Sequence, residues 1–400
     1  MVQGPARDAQ LGDAGTDAAL MDRALALGAT ARRRSAPNPW VGCVIALDGE
    51  VVGEGATQPP GGAHAEVEAL GMAGPRARGA TAYVTLEPCG HHGRTPPCAG
   101  ALADAGIARV VVGVLDPDPL VAGSGIAQLR ERGVQVELGV RAAAVTHSLR
   151  PYLVHRSEGR AATLLKVATS LDGRIAAADG SSQWITGPAA RADVHELRAD
   201  AQAVMAGSGT ALADHPRLTV RDVAAMPDHQ PLRVLLDGRG RVPAEGPLFD
   251  PALAPTLVLT TDAAPDDAVA RWLAAGAKVQ VLPAAVGGRG VELRTALEHL
   301  AGLGVLQVLV EGGATLAASL LEAGLADQLV AYVGPKVLGA GGRPMFDVPG
   351  PATINDAPRW RLAGVATLDD DVRLDYVPAA SVAERTASVA ERTASVAERQ

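Results

Sequence analysis

The sequence predicts an α/β protein of two domains, and three observations carry the prediction. Short apolar runs alternate with amphipathic, helix-length segments along most of the chain. The 400 residues exceed what one hydrophobic core usually organises. The alternation lapses between Val140 and Gly159, so the domain boundary is expected there, near Pro151. Alternation of this kind implies largely parallel sheets. Because 48 % of the residues are apolar and only 2 % are Phe, Trp or Tyr, the core must be built from Ala, Val and Leu.

Taken in order, residues 1–16 read as a disordered Gly/Asp/Ala-rich lead-in, and the first domain as 17–150. Thr16 or Asp17 is placed to cap a helix with Leu20, Met21, Ala24, Leu25 and Leu27 on one face, ending near Arg32. Residues 41–47 and 51–56 read as strands joined by a tight turn at Asp48-Gly49. The pattern continues with a helix over 64–73, a strand over 80–86, a helix over 97–105, a strand over 109–115, a helix over 124–132 and a strand over 134–138.

The second domain, 160–378, shows strand candidates at 164–167, 203–206, 232–236, 257–261, 279–282 and 305–310. Helices are expected over 188–198, 266–275, 292–303 and 315–323, with ligands near the strand ends. From Ala380 to the last residue the chain repeats Ala-Ser-Val-Ala-Glu-Arg with a period of seven. A coiled-coil seam needs two apolar positions per heptad and these repeats supply one, so 380–400 reads as a solvated, partly helical tail.

Composition excludes several classes. The net charge is −8, from 36 basic and 44 acidic residues, and the longest basic run is Arg32-Arg33-Arg34, which argues against a nucleic-acid-coating surface. The first twenty residues carry Asp8, Asp13 and Asp17 and lack a signal-like apolar region, and no segment offers eighteen consecutive apolar residues. A cytoplasmic location is the expectation. Three cysteines make a disulfide framework improbable, and Cys43, inside the apolar run Val41-Gly42-Cys43-Val44-Ile45, reads as a small buried residue.

The chemistry begins with His64-Ala65-Glu66, Pro88-Cys89 and Cys98, which together offer one imidazole, two thiolates and a carboxylate. Three protein ligands on zinc leave one coordination position for water, whose pKa falls from about 15.7 toward about 7. Deamination of an aromatic amidine carbon needs that nucleophile and a group to carry protons to the departing ammonia, a task for Glu66. A four-ligand structural zinc site completed by His91 or His92 is the alternative.

The His-x-Glu and Pro-Cys pattern resembles that of the zinc nucleobase deaminases, in which the Glu is not a ligand. Eight residues, Gly90-His91-His92-Gly93-Arg94-Thr95-Pro96-Pro97, separate the two cysteines here in place of two. With Pro37-Asn38-Pro39-Trp40-Val41-Gly42-Cys43-Val44, that insertion resembles the deaminase half of the bifunctional riboflavin-biosynthesis deaminase and reductase family. The resemblance implies a cytidine-deaminase-like zinc domain with His64, Cys89 and Cys98 as ligands of one Zn2+ and Glu66 as catalytic residue. It also implies substrate contacts at Asn38, His91 and Arg94. Gly90 departs from the Ser or Asn usual in that family.

In the second domain no Gly-x-Gly-x-x-Gly fingerprint survives, since Gly207-Ser208-Gly209 and Gly339-Ala340-Gly341 both lack the third glycine. Val308-Leu309-Val310-Glu311-Gly312-Gly313 reads as a strand running through two glycines toward a helix, a source of free N–H groups for a phosphate. It is accompanied by Lys166-Val167-Ala168-Thr169-Ser170-Leu171-Asp172-Gly173-Arg174, Ser182-Gln183-Trp184-Ile185-Thr186-Gly187, Gly209-Thr210-Ala211-Leu212-Ala213-Asp214 and Pro216-Arg217-Leu218-Thr219-Val220-Arg221. These resemble the reductase half of the same family, so the resemblance spans residues 17–376.

That half implies a dihydrofolate-reductase-like fold using NADPH to open the ribosyl ring to a ribityl chain. By matching position, Ala168, Trp184, Thr210, Asp214 and a loop of Gly313, Ala314, Thr315, Leu316, Ala317, Ala318 and Ser319 contact NADPH. Ser182, Arg198, Leu218, Arg221 and Glu311 contact substrate. Guanidinium groups suit a phosphoribosyl ligand because they bind phosphate in a bidentate way. Lys166 is the candidate for orienting or protonating the reduced centre, and His215 stands where the family more often has a second Asp.

The expected partner is a small phosphoribosyl pyrimidine, with no nucleic acid and no membrane, and a homo-oligomer is allowed. A deaminase with a non-catalytic second domain is the runner-up. Charge, cysteine spacing and the second domain count against a nucleic-acid-editing deaminase.

Overall fold

The structure is a computed structural model that describes residues 14–90, 97–288, 290–348 and 350–379. The tail and most of the lead-in therefore lie outside the described residues. The chain divides into two compact units, one up to Leu149 and one from Arg150. Among the described residues no helix is long and apolar enough to cross a membrane.

The first unit opens with α1, Ala14–Ala31. Ala14, Gly15 and Thr16 are thus its first turn and not part of a disordered lead-in. Asp17 is no cap: it is buried and accepts hydrogen bonds from Arg109 Nη1 at 3.0 Å, Arg109 Nη2 at 2.6 Å and the Tyr83 hydroxyl at 2.7 Å. That pairing satisfies a charge that would otherwise be costly to bury. Strands β1, Gly42–Leu47, and β2, Glu50–Ala56, form the expected hairpin, with Asp48 at φ 51° and Gly49 at φ 82°. Positive φ at both central residues is the demand of a type I′ turn.

The unit continues through α2, Ala65–Ala73, β3, Thr81–Leu86, α3, Cys98–Asp104, β4, Arg109–Val114, α4, Ser124–Glu131, and β5, Gln135–Leu138. The sheet order is β2-β1-β3-β4-β5, with β1 antiparallel to both neighbours and β3, β4 and β5 mutually parallel. A Cβ on Gly42 would stand 1.8 Å from the Ala24 carbonyl oxygen, so only glycine lets α1 lie so close to β1. The segment between 140 and 159 is not irregular: α5, Ala142–Glu158, runs through it with Pro151 inside.

The second unit comprises β6, Ala162–Ser170, β7, Arg174–Ala176, α6, Pro188–Asp200, β8, Ala203–Gly207, α7, Ser208–Asp214, and β9, Leu232–Leu236. It continues with β10, Thr256–Thr260, α8, Asp266–Ala274, β11, Lys278–Val281, α9, Leu293–Gly302, β12, Gln307–Val310, and α10, Ala314–Glu322. Last come β13, Gln328–Gly334, β14, Arg343–Pro344, β15, Trp360–Leu368, and β16, Asp371–Pro378.

Nine of these strands form one sheet in the order β11-β10-β9-β8-β12-β6-β13-β16-β15. Pairing is parallel from β11 to β13 and antiparallel from β13 through β16 to β15. Alternate strand residues feed two apolar layers. Leu165, Val167 and Met205 pack with α9 and α10, and Leu164, Val204 and Ala206 with α6, α7 and α8. The result is a sheet covered on both faces, as buried parallel strands require.

Candidate active sites

In the first unit the ends of two helices and one strand converge. His64 is the N-cap of α2, Cys98 is the first residue of α3, and Cys89 follows β3 by three residues. His64 Nδ1 stands 3.2 Å from Cys98 Sγ and 3.8 Å from Cys89 Sγ, and the three ligand atoms all lie within 4.8 Å of one another. Sulfur and nitrogen bound to tetrahedral zinc at about 2.3 and 2.0 Å stand about 3.5 Å apart, so the donor set fits the ion. The Cys98 backbone N–H donates to Cys89 Sγ at 3.3 Å. The hydrogen bond shared with the Cys98 thiol, followed by those from His64 and the Cys98 N–H, draws the Cys89 thiol well below its ordinary pKa against the effect of burial, whereas the Cys98 thiol, which keeps the shared proton, is raised.

Glu66, the second residue of α2, is 4 % exposed, and burial pushes its carboxyl up to about 7. A carboxyl that exchanges protons near neutrality suits general acid and base work. Cys43 lies fully buried in β1 and its thiol is raised by burial. Asn38 is half-buried before β1, its N–H bonded to Ser35 O at 2.8 Å. His91, Arg94 and the alternative ligand His92 lie outside the described residues. At Gly90 a Cβ would meet Ser124 Oγ at 2.8 Å and the Gly125 nitrogen at 2.9 Å, so the space that a side chain would need is occupied.

In the second unit, β8, β12 and β6 are sheet neighbours: Glu311 directly follows β12, Thr210 and Asp214 lie on the helix after β8, and Lys166 and Ala168 lie within β6. Arg198, near the end of α6, donates through Nε to Glu311 Oε1 at 2.5 Å and through Nη2 to Oε2 at 2.9 Å. Its Nη1 donates to Thr219 O at 3.0 Å and faces His195 Nδ1 at 3.4 Å. Burial alone would raise the Glu311 carboxyl, but the Arg198 guanidinium outweighs it, aided by Lys166 and His195, and holds it at about 2. Lys166 is half-buried on β6. Burial lowers its pKa against the opposing pull of Glu311, while the charges of Arg198 and Asp214 also reach it.

Arg221 is exposed, and Leu218 and Asp222 flank it with φ of 51° and 57°. Burial and the neighbouring charge of Arg198 lower its pKa, with Arg217 adding repulsion. These cations give a positive field beside Arg198 that spacing alone did not reveal. Leu218 itself is 2 % exposed and packs into the core, so its side chain is closed to a ligand and only its backbone can touch one.

Residues 313–319 are not a loop. Gly313 is the N-cap of α10, and Ala314, Ala317 and Ala318 are buried against the sheet. The segment therefore offers the unpaired N–H groups of Ala314, Thr315 and Leu316, not a run of side chains, to an anion. Ser319 Oγ bonds Thr315 O at 2.9 Å, and a Cβ on Gly313 would stand 3.6 Å from Thr210 Oγ1, which brings α7 beside that N-terminus.

Ala168 is half-buried on β6, Asp214 is exposed at the end of α7, and Ser182 and Trp184 lie between β7 and α6, Trp184 being 57 % exposed. His215 caps α7 with φ 43°, a conformation that histidine adopts more readily than bulky residues, so the departure at this position preserves the turn. Sequence reasoning missed His195, which is 8 % exposed and held neutral by burial and by Arg198, its pKa near 4.

Two family models match the chain. The RibD C-terminal domain matches residues 162–374, and the cytidine and deoxycytidylate deaminase zinc-binding region matches residues 15–114. A riboflavin biosynthesis protein RibD from Chlamydia pneumoniae is 45 % identical over 83 % of this chain and 88 % of its own length. The Escherichia coli K12 protein of the same name is 41 % identical over 91 % of this chain and 100 % of its own. Among solved structures, an Acinetobacter baumannii RibD covers 92 % of this chain and 99 % of its own at 39 % identity and a TM-score of 0.79. A Thermotoga maritima protein, described as a diaminohydroxyphosphoribosylaminopyrimidine deaminase and 5-amino-6-(5-phosphoribosylamino)uracil reductase, covers 91 % and 99 % at 31 % identity and a TM-score of 0.77. The chain thus belongs to the RibD family of riboflavin-biosynthesis enzymes, with a zinc-binding deaminase domain followed by a reductase domain of dihydrofolate-reductase-like fold.

Proposed function

We propose that the first unit deaminates 2,5-diamino-6-(5-phosphoribosylamino)pyrimidin-4-one and that the second reduces the ribosyl group of the product to a ribityl chain with NADPH. The observation that carries the deaminase reading is the packing of His64, Cys89 and Cys98 within 4.8 Å of one another beside a buried Glu66. One Zn2+ on those three residues supplies an acidic water as nucleophile. With zinc held there, Glu66 would carry one proton from the attacking water to the ring nitrogen and a second from the added hydroxyl to the departing amine, a role for which its pKa near 7 equips it.

For the reductase half, the N–H groups at the start of α10 hold the cofactor's phosphates, with Thr210 beside them, and Trp184 offers an exposed ring. NADPH supplies the hydride. Arg221 meets the substrate phosphate, the Arg198 and Glu311 pair holds a ribosyl hydroxyl, and Lys166 orients or protonates the imine nitrogen, which stays bonded to the sugar carbon when the ring oxygen leaves it. Trp184 and Asp214 border the cofactor, Asn38 and Ser182 border substrate, and the roles of His91 and Arg94 rest on the family resemblance. The substrate is a small molecule and the expected compartment is the cytoplasm.

The test is an anaerobic assay of zinc-loaded protein with the diaminopyrimidinone ribosyl phosphate, following ammonia release and then NADPH oxidation in one cuvette. Both signals support the two-step reading. Ammonia without NADPH oxidation reduces it to a deaminase, and neither signal from metal-replete protein overturns it.

A further inference from the structure

Glu87 stands just beyond β3, two residues before Cys89, and is 4 % exposed. Its carboxylate accepts four backbone N–H groups. Oε2 takes those of Gly123 at 3.0 Å and Asp116 at 3.3 Å, and Oε1 those of Gly125 at 3.2 Å and Ile126 at 3.3 Å. Gly125 and Ile126 belong to the first turn of α4, where helical geometry leaves N–H groups without partners and the dipole favours an anion. A buried carboxylate is tolerated when hydrogen bonds replace its water, and here four of them do.

Steric contacts lead to the same pair of segments. A Cβ on Gly125 would stand 1.7 Å from the Pro88 carbonyl oxygen, and one on Gly90 would stand 2.9 Å from the Gly125 nitrogen. Residues 88–90 therefore lie directly on the start of α4, held by Glu87 from one side and leaving no room for a side chain from the other. His64 and Cys98 are fixed by the helices they begin, whereas Cys89 lies outside any helix or strand.

We propose that Glu87 is the positioning residue for Cys89: by clamping residues 88–90 onto the start of α4, it fixes the Cys89 sulfur relative to His64 and Cys98 and so sets zinc affinity. The inference rests on the reading that these three residues hold zinc. A glutamine in its place keeps one acceptor oxygen but turns an NH2 group toward N–H donors, so at least one bond is lost and a like pair is opposed.

The experiment uses the full chain, wild type and Glu87→Gln, stripped of metal and titrated with Zn2+ against a chromophoric chelator. Co2+ absorption bands report ligand geometry. The expected result is zinc binding weakened about 10- to 100-fold, the usual effect of removing a residue that orients a metal ligand, with shifted Co2+ bands. A Gln variant that melts earlier yet binds zinc as tightly as wild type, with the same bands, overturns the proposal. Should the variant not fold, amide exchange in metal-free wild type decides: Gly123, Gly125 and Ile126 stay protected if Glu87 holds them, and fast exchange there defeats the idea. A wild-type chain that takes up no zinc at all defeats the zinc reading instead.

Discussion

Arg198 and Glu311 form a two-pronged ion pair, Nε to Oε1 and Nη2 to Oε2, with each side chain only 12 % exposed. The pair joins α6 to the carboxyl end of β12, and a third prong from Arg198 holds Thr219 O on the segment that leads to Arg221. The guanidinium expected to meet a phosphate therefore has most of its donors committed within the protein, whereas the exposed Arg221 makes only a long, 4.0 Å contact with Asp222. Breaking one half of a buried pair strands the other charge, at a cost of about 3–5 kcal/mol. Arg198→Ala is expected to destabilise the second unit by that order and to abolish NADPH oxidation, while ammonia release persists. A double variant, Arg198→Leu with Glu311→Leu, should recover stability in a urea titration without recovering reduction. Full recovery of reduction would show that the pair only holds the fold.

The same pair sets a pH dependence. Glu311 has its carboxyl lowered from 4.5 to about 2, so the folded protein binds that proton more weakly than the unfolded chain. The resulting stabilisation is complete above the unfolded value and is lost as pH falls through the folded one. The window is thus pH 4.5 down to 2, and the contribution at neutral pH is about 3 kcal/mol. Unfolding free energies of the wild type should fall across that window, and those of Glu311→Gln should fall less. Parallel slopes would refute the assignment.

How much of this was legible in the sequence follows from what each signal depends on. His64, Cys89 and Cys98 could be read because zinc ligands are drawn from few residue types, and Glu66 because it stands two residues from one of them. Regular alternation exposed β8, β9, β10 and β12, whose residues face two apolar layers. The hairpin of β15 and β16 was hidden because its pattern is mostly half-exposed or exposed, with little apolar contrast to read. Asp17 looked like a cap because only the fold brings Arg109 to it, from 92 residues away. The Gly313 to Ser319 segment was a loop only by family resemblance, whereas the apolar pattern over 315–323 already read as the helix that α10 is.

Glu66 should separate metal binding from chemistry. Its carboxyl is buried beside the ligands and is not one of the three that cluster. Glu66→Gln keeps the size and removes the proton exchange, so zinc content measured by atomic absorption should stay at wild-type level while ammonia release falls by about 10²- to 10⁴-fold. NADPH oxidation with deaminated substrate supplied directly should be untouched. Normal deamination in this variant would assign proton transfer to another group.

Trp184 offers a direct optical reading of cofactor binding. The Arg191 guanidinium stacks 4.5 Å from its ring centroid and Lys336 Nζ donates to its backbone carbonyl at 2.5 Å, so one cation holds the exposed ring and another the main chain beneath it. If the ring borders the dinucleotide, NADPH should quench its emission, and Trp184→Phe should remove that part of the quenching that the other tryptophans do not supply. A cation over an exposed ring contributes about 0.5–1 kcal/mol, so Arg191→Ala is expected to weaken NADPH binding about two- to fivefold through loss of a fixed ring orientation. Equal quenching in wild type and Trp184→Phe would place the cofactor away from this ring, because the remaining tryptophans would then account for the whole of the quenching.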